Sequence, residues 1–134
     1  MEMVGVGSGI VECARIGAMI ERHGELFLQR VYTEREIRFC HCRPRALQWF
    51  AAHWSAKEAV MRALGTGPFE GVAWSDFEIR VDPRGRATVH VGGPAKHVVR
   101  RRGVADVWLS MAHCRTHATA HATAVGRSGP TPEA

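Results

Sequence analysis

The chain has 134 residues, 46% of them hydrophobic and 23% charged, a length that suits one domain with its own core and a composition remote from disordered chains. No apolar run reaches the length of a membrane span. Eighteen Lys and Arg outnumber thirteen Asp and Glu, a formal charge of +5 that favours a polyanionic partner such as a nucleic acid, a nucleotide cofactor or an acidic protein. The first residues carry an acid, Glu2, and no basic leader. The expectation is a cytoplasmic protein whose cysteines (Cys13, Cys40, Cys42, Cys114) are packed thiols rather than bridges.

Residues 4–11 are predicted to form a β-branched strand interrupted by Gly5, Gly7 and Gly9, where another backbone can approach closely. Helical spacing of Cys13, Ile16 and Ile20 predicts a helix over 12–23, stopped by Gly24. Thr33-Glu34-Arg35-Glu36 is a capping-box pattern that opens a short helix toward Cys40, and Arg43-Pro44-Arg45 ends it. A long helix follows over 46–64, with Leu47, Phe50, Ala51, Trp54, Met61 and Leu64 as its apolar stripe and Gly65-Thr66-Gly67 closing it. Strands over 76–81 and 87–91 flank the turn Asp82-Pro83-Arg84-Gly85, and Pro94 starts a short basic helix ending at Arg100-Arg101-Arg102.

Residues 107–111 and 118–125 read as two more strands, although the Ala and Thr content of the second also permits helix. Residues 1–126 then make a single domain, and 127–134 are expected to be a disordered tail. Helices and strands mix without strict β-α-β alternation, so the expected class is α+β: a small, mostly antiparallel sheet packed with one long helix and several shorter ones.

Gly5-Val6-Gly7-Ser8-Gly9 falls short of a dinucleotide-binding loop, because Ile10 occupies the third glycine's place and no strand fits before Gly5. Glu58 shares the Phe50/Trp54 stripe; buried there it needs a cation, a metal or hydrogen bonds, and at the stripe's edge it needs none. His113, His117 and His121 would line up on a helix as zinc ligands, but on a strand they stand about 13 Å apart in succession and cannot share an ion. Val107-Trp108-Leu109 favours the strand, and Cys40-His41-Cys42 is too tight for a usual finger. Arg100–Arg102 read as a solvated helix end, whereas Arg15, Met19 and Arg22 share a helix face suited to solvent or to an acidic helix with an apolar anchor. A basic nucleic-acid module has only charge in its favour, since no helix-turn-helix, RNA-recognition or finger signature is present.

In order along the chain, Val4-Gly5-Val6-Gly7-Ser8, Ile10-Val11-Glu12, Arg15-Ile16, Thr33-x-x-Glu36, Ser55-Ala56-Lys57-Glu58-Ala59 and Leu64-Gly65-Thr66-Gly67 resemble the blocks of the holo-acyl-carrier-protein synthases. These are the small type of 4′-phosphopantetheinyl transferase. The resemblance continues through Trp74-x-Asp76-Phe77-Glu78-Ile79 and Asp82-Pro83-x-Gly85 to His113. It implies an α+β subunit in a homotrimer with active sites at subunit boundaries. The implied activity moves phosphopantetheine from coenzyme A to a serine of apo-acyl carrier protein, with magnesium, for fatty acid biosynthesis, and releases adenosine 3′,5′-bisphosphate.

The same resemblance implies that Glu58 ligates magnesium and that Lys57, Arg62, Gly65, Thr66, His53 and His113 lie around coenzyme A, with Glu58, Arg62 and His113 catalytic. Arg15, Met19 and Arg22 become the carrier-docking face. The chain also departs from the family pattern: Gly9 stands where an aspartate usually supplies the second magnesium carboxylate, Arg62 replaces a lysine, His53 an arginine and Cys114 a glutamate. An alternative reading is therefore a homologue that binds coenzyme A or acyl carrier protein without efficient transfer.

Overall fold

The computed structural model describes residues 1–126. In chain order these form β1 (Glu2–Glu12), α1 (Cys13–His23), α2 (Glu25–Val31), α3 (Glu34–His41), α4 (Ala46–Leu64), β2 (Phe77–Val81), β3 (Ala87–Val91), α5 (Ala95–Arg101), β4 (Val104–His113) and β5 (His117–Gly126). Residues 127–134, expected as a tail, lie outside the described residues. The strands make two antiparallel sheets, β1-β5-β4 and β2-β3, so the chain adopts the expected α+β class.

Small side chains decide how α4 meets the larger sheet. Ala118, Ala120, Ala122 and Ala124 occupy alternate positions of β5 and are buried, as are Ala56, Ala59 and Ala63 of α4. This period of two settles the segment as strand: alanines face the helix, while His117, Thr119 and His121 face out. The glycines of β1 allow a closer approach still, since a Cβ built on Gly5, Gly7 or Gly9 would collide with the carbonyl oxygen of Ala63, Ala59 or Ser55 in turn. Two strand residues advance about 6.6 Å and four helix residues about 6 Å, so every second strand position meets every fourth helix carbonyl.

Two apolar clusters sit on either half of α4. Around its C-terminal half, Val60, Met61 and Leu64 pack with Val72, Phe77, Ile79, Ala95 and Val98. Around its N-terminal half, Phe50, Ala51 and Ala52 pack with Val11, Ile16, Phe27, Leu28, Val31 and Tyr32. Helix α2, which the sequence reading did not anticipate, supplies Phe27, Leu28 and Val31 to this second cluster. It begins at Gly24, whose positive φ of 55° lets the chain turn directly from one helix into the next.

Candidate active site

Glu58 and Arg62 stand on α4 beside the line along which glycine-bearing β1 packs directly against the helix. They lie one helical turn apart and pair, with Arg62 Nη2 donating to Glu58 Oε2 at 3.3 Å. Arg62 Nη1 also donates to the Ser8 carbonyl of β1 at 2.8 Å. The guanidinium thus bridges strand and helix while its side chain remains 59% exposed, against 25% for Glu58. Of the two readings of Glu58, the stripe's edge is the observed one, with a cation beside it.

Lys57 and His53, expected beside coenzyme A, both have buried side chains. The Lys57 side chain is 0% exposed, and its ammonium donates to Glu36 Oε1 at 2.6 Å, Phe77 O at 2.6 Å and Trp74 O at 3.2 Å. All three of its N–H groups are therefore committed to the protein interior. His53 is equally buried, its Nδ1 2.8 Å from Glu36 Oε2. Its Nε2 is the one buried side-chain nitrogen or oxygen without a partner among the described residues. Neither side chain reaches the surface, where a nucleotide would bind. They act instead on Glu36, which also accepts from the backbone N–H groups of Thr33 and Ile79 and so ties α3, α4 and β2 together.

Burial pushes the Glu36 carboxyl up, but the hydrogen bond from His53 and the charge of Lys57 outweigh it and hold it below its ordinary value. Burial pulls the Lys57 ammonium down, with Glu36 pulling against it.

The turn after α4, expected around coenzyme A, spends backbone N–H groups on the helix end. Gly65, at φ 69°, donates to Arg62 O at 3.1 Å, and Thr66 donates to Met61 O at 2.9 Å, a pattern that closes the helix end. Those two donors are spent on the helix, leaving the Thr66 side chain and the Gly67 N–H. Arg102, read from sequence as a solvated helix end, lies over this turn and donates to Gly65 O at 3.4 Å.

His113 stands elsewhere. It ends β4, one edge of the sheet order β1-β5-β4, while Gly9 and Ser8 belong to the other edge. His113 Nδ1 lies 2.8 Å from Gln48 Oε1, and its ring meets Trp49 edge-on at 4.7 Å. Gln48 precedes Glu58 by ten residues on α4, about 15 Å along the axis. One chain therefore does not bring His113 to the Glu58–Arg62 pair. Burial, and then the charge of Arg45, lower the His113 pKa below its ordinary value. The ring borders a cavity of about 290 Å³ shared with Trp49, Arg86, Leu109 and Met111.

On α1, Arg15 and Arg22 are exposed and Met19 is half-buried. Met19 also lines an apolar groove of about 300 Å³ with Leu26, Phe27, Trp54 and Trp74. The two tryptophans stack at 4.1 Å, so the groove ends one turn of α4 before Glu58. Helix α2 builds half of this groove, a signal hidden from sequence because the helix itself was not foreseen.

The residues at position 9 and beside it do not fit a protein-held magnesium ion. Magnesium favours hard oxygen ligands in a near-ideal octahedron. Here one carboxylate, that of Glu58, lies beside Gly9, its charge is offset by a guanidinium, and a Cβ on Gly9 would come within 2.6 Å of Ser55 O and 2.9 Å of Glu58 Oε1. The expectation of Glu58 as a magnesium ligand is thus not matched by the donor set. Zinc is also without a site among the described residues, since no three His, Cys, Asp or Glu side chains converge.

A family profile described as the 4′-phosphopantetheinyl transferase superfamily matches residues 5–122. The chain is 43% identical over 118 residues to the holo-[acyl-carrier-protein] synthase of Koribacter versatilis, covering 88% of this chain and 94% of that one. It is 42% identical over 121 residues to that of Rhodopirellula baltica, covering 90% and 96%. Among solved structures, the holo-[acyl-carrier-protein] synthase of Neisseria meningitidis superposes with a TM-score of 0.84 at 26% identity, covering 92% of this chain and 98% of that chain. A Bacillus anthracis holo-(acyl-carrier-protein) synthase, solved in complex with CoA (3′,5′-ADP), gives 0.77 at 28% identity, with 95% and 100% covered.

Proposed function

This chain belongs to the 4′-phosphopantetheinyl transferase superfamily, and we propose that it transfers 4′-phosphopantetheine from coenzyme A to a serine of apo-acyl carrier protein, in the cytoplasm and in the service of fatty acid biosynthesis. The observation that carries this reading is the Glu58–Arg62 pair beside the β1–α4 contact, in a chain 43% identical to a named holo-acyl-carrier-protein synthase. The formal charge of +5 suits both partners, one an acidic carrier and the other a nucleotide with three phosphates.

In the reaction the serine oxygen attacks the phosphorus that bears pantetheine, the bridging P–O bond breaks, and adenosine 3′,5′-bisphosphate leaves. Arg62 meets the charge that grows on the departing phosphate with a planar, bidentate guanidinium. It cannot take the serine proton, because its own pKa is above about 12. His113 is suited to that role: with Nδ1 donating to Gln48, Nε2 keeps a lone pair, and a lowered pKa keeps the ring neutral. Arg15, Met19 and Arg22 receive the carrier, and Thr66 lies near the nucleotide.

Because Arg62 of α4 is bonded to edge strand β1 through the Ser8 carbonyl and His113 ends the opposite edge strand β4, the complete site takes one from each of two copies. A homotrimer is the assembly we infer, supported by an uncovered sheet face. Across it, Val6, Thr123 and Trp108 form one row and Ile10, Thr119 and Ala112 another, with Val6, Trp108 and Ile10 at 52%, 53% and 68% exposure. The test is co-assembly of Arg62→Met chains with His113→Ala chains. Each variant alone leaves apo-carrier unmodified, and the mixture restores transfer through sites that hold one intact residue from each chain. A mixture as inactive as its parents overturns the shared site.

A further inference from the structure

Where β1 packs against α4, the structure holds one cation in a fixed place, the Arg62 guanidinium. Arg62 is anchored twice, to the Ser8 carbonyl at 2.8 Å and to Glu58 Oε2 at 3.3 Å, and the pair has no net charge to draw in a divalent ion. The single open carboxylate oxygen, Glu58 Oε1, faces Gly9, where strand and helix are too close for any side chain to add a second ligand.

Resting on the transferase reading above, we propose that the free protein holds no divalent cation and that one enters only as a complex with the diphosphate of coenzyme A. Arg62 is the protein's own charge at that diphosphate. Glu58 is a positioning residue, which keeps the guanidinium beside the β1–α4 contact rather than acting as a preformed metal site. The physical basis is ligand count. A diphosphate supplies two or more hard anionic oxygens and water supplies the rest, so the ion's affinity is set by the nucleotide, with at most one oxygen from the chain. Arg62, more than half exposed and already oriented, contributes two parallel donors to phosphate without a metal.

The test uses the full chain with Mn²⁺ as probe, followed by electron paramagnetic resonance, and coenzyme A followed by calorimetry. In the free protein no saturable Mn²⁺ binding is expected up to about 1 mM, whereas adding coenzyme A produces a bound Mn²⁺ signal. Coenzyme A should bind with chelator present, and Arg62→Met should weaken that metal-free binding roughly tenfold to a hundredfold. Arg62→Lys, which keeps the charge but loses the fork, should fall between. Glu58→Gln should weaken metal-free binding too, a loss that a metal ligand would not show with chelator present. Saturable Mn²⁺ in the free protein, abolished by Glu58→Gln while coenzyme A still binds, overturns this inference and leaves the transferase reading intact. Absence of any coenzyme A binding overturns both.

Discussion

Replacing Lys57 by methionine tests whether this residue is an interior strut or a nucleotide contact. Its ammonium sits between Glu36 Oε1, Phe77 O and Trp74 O, and neither it nor the Glu36 carboxylate is exposed. Methionine nearly preserves the volume but leaves the carboxylate with His53 and two backbone N–H groups and no full counter-charge. Breaking a buried pair from one side costs about 3–5 kcal/mol, a large share of the 5–15 kcal/mol that a domain of this size holds in total, to order of magnitude. In urea, with a slope of about 2 kcal/mol/M, the midpoint should fall by about 2 M at unchanged slope. Adding Glu36→Gln to the Lys57→Met chain should recover part of the loss, because the stranded charge is removed. A Lys57→Met chain within about 1 kcal/mol of the parent, but deficient in coenzyme A binding, would refute the strut and return Lys57 to the nucleotide.

The acid limb of stability should trace to Glu36. Its pKa is held below the ordinary 4.5, so its ionised form contributes stability above that value, which is lost as pH falls through the depressed pKa; urea midpoints between about pH 6 and 3 should show this, and Glu36→Gln should flatten the limb. Transfer rate should fall on acidification as His113 gains a proton, with an inflection below its ordinary 6.5; a rate profile that lacks this limb in the parent, or keeps it in His113→Gln, contradicts the assignment. Gly7→Ala places a methyl against the Ala59 carbonyl and 2.6 Å from Ala63 N, so it should cost about 1–3 kcal/mol or more by overpacking, read as a lower Tm; an unchanged Tm would show that β1 is free to move off α4.

Legibility differed by residue and for physical reasons. The capping box at Thr33 and Glu36 was readable because its two hydrogen bonds are local, three residues apart. The same Glu36 was unreadable as the hub of a buried network, since Lys57, His53 and Ile79 reach it from up to 43 residues away. The glycines of β1 announced a close approach, but the α4 carbonyls as its object emerge only from packing. Residues 118–125 left strand and helix open because alanine and threonine serve in either, until their partnering with β1 and β4 fixed an inward alanine row. Helix α2 has seven residues and no side-chain cap, too short for periodicity to declare it, and with it went half of the groove beside Met19. Glu58 stood out from its place on the Phe50/Trp54 stripe and His113 from the histidine spacing, but their roles, and Arg62 altogether, came from the resemblance alone. That His113 ends the edge strand opposite β1, the strand to which Arg62 of α4 is bonded, is a property of strand order.

The most direct measurement of the central claim is the intact mass of apo-acyl carrier protein after incubation with this chain, coenzyme A and magnesium. The account predicts a gain of one phosphopantetheine group per carrier with an equal release of adenosine 3′,5′-bisphosphate, both lost in Arg62→Met. Carrier that stays at its starting mass while the protein binds coenzyme A would contradict the transfer itself.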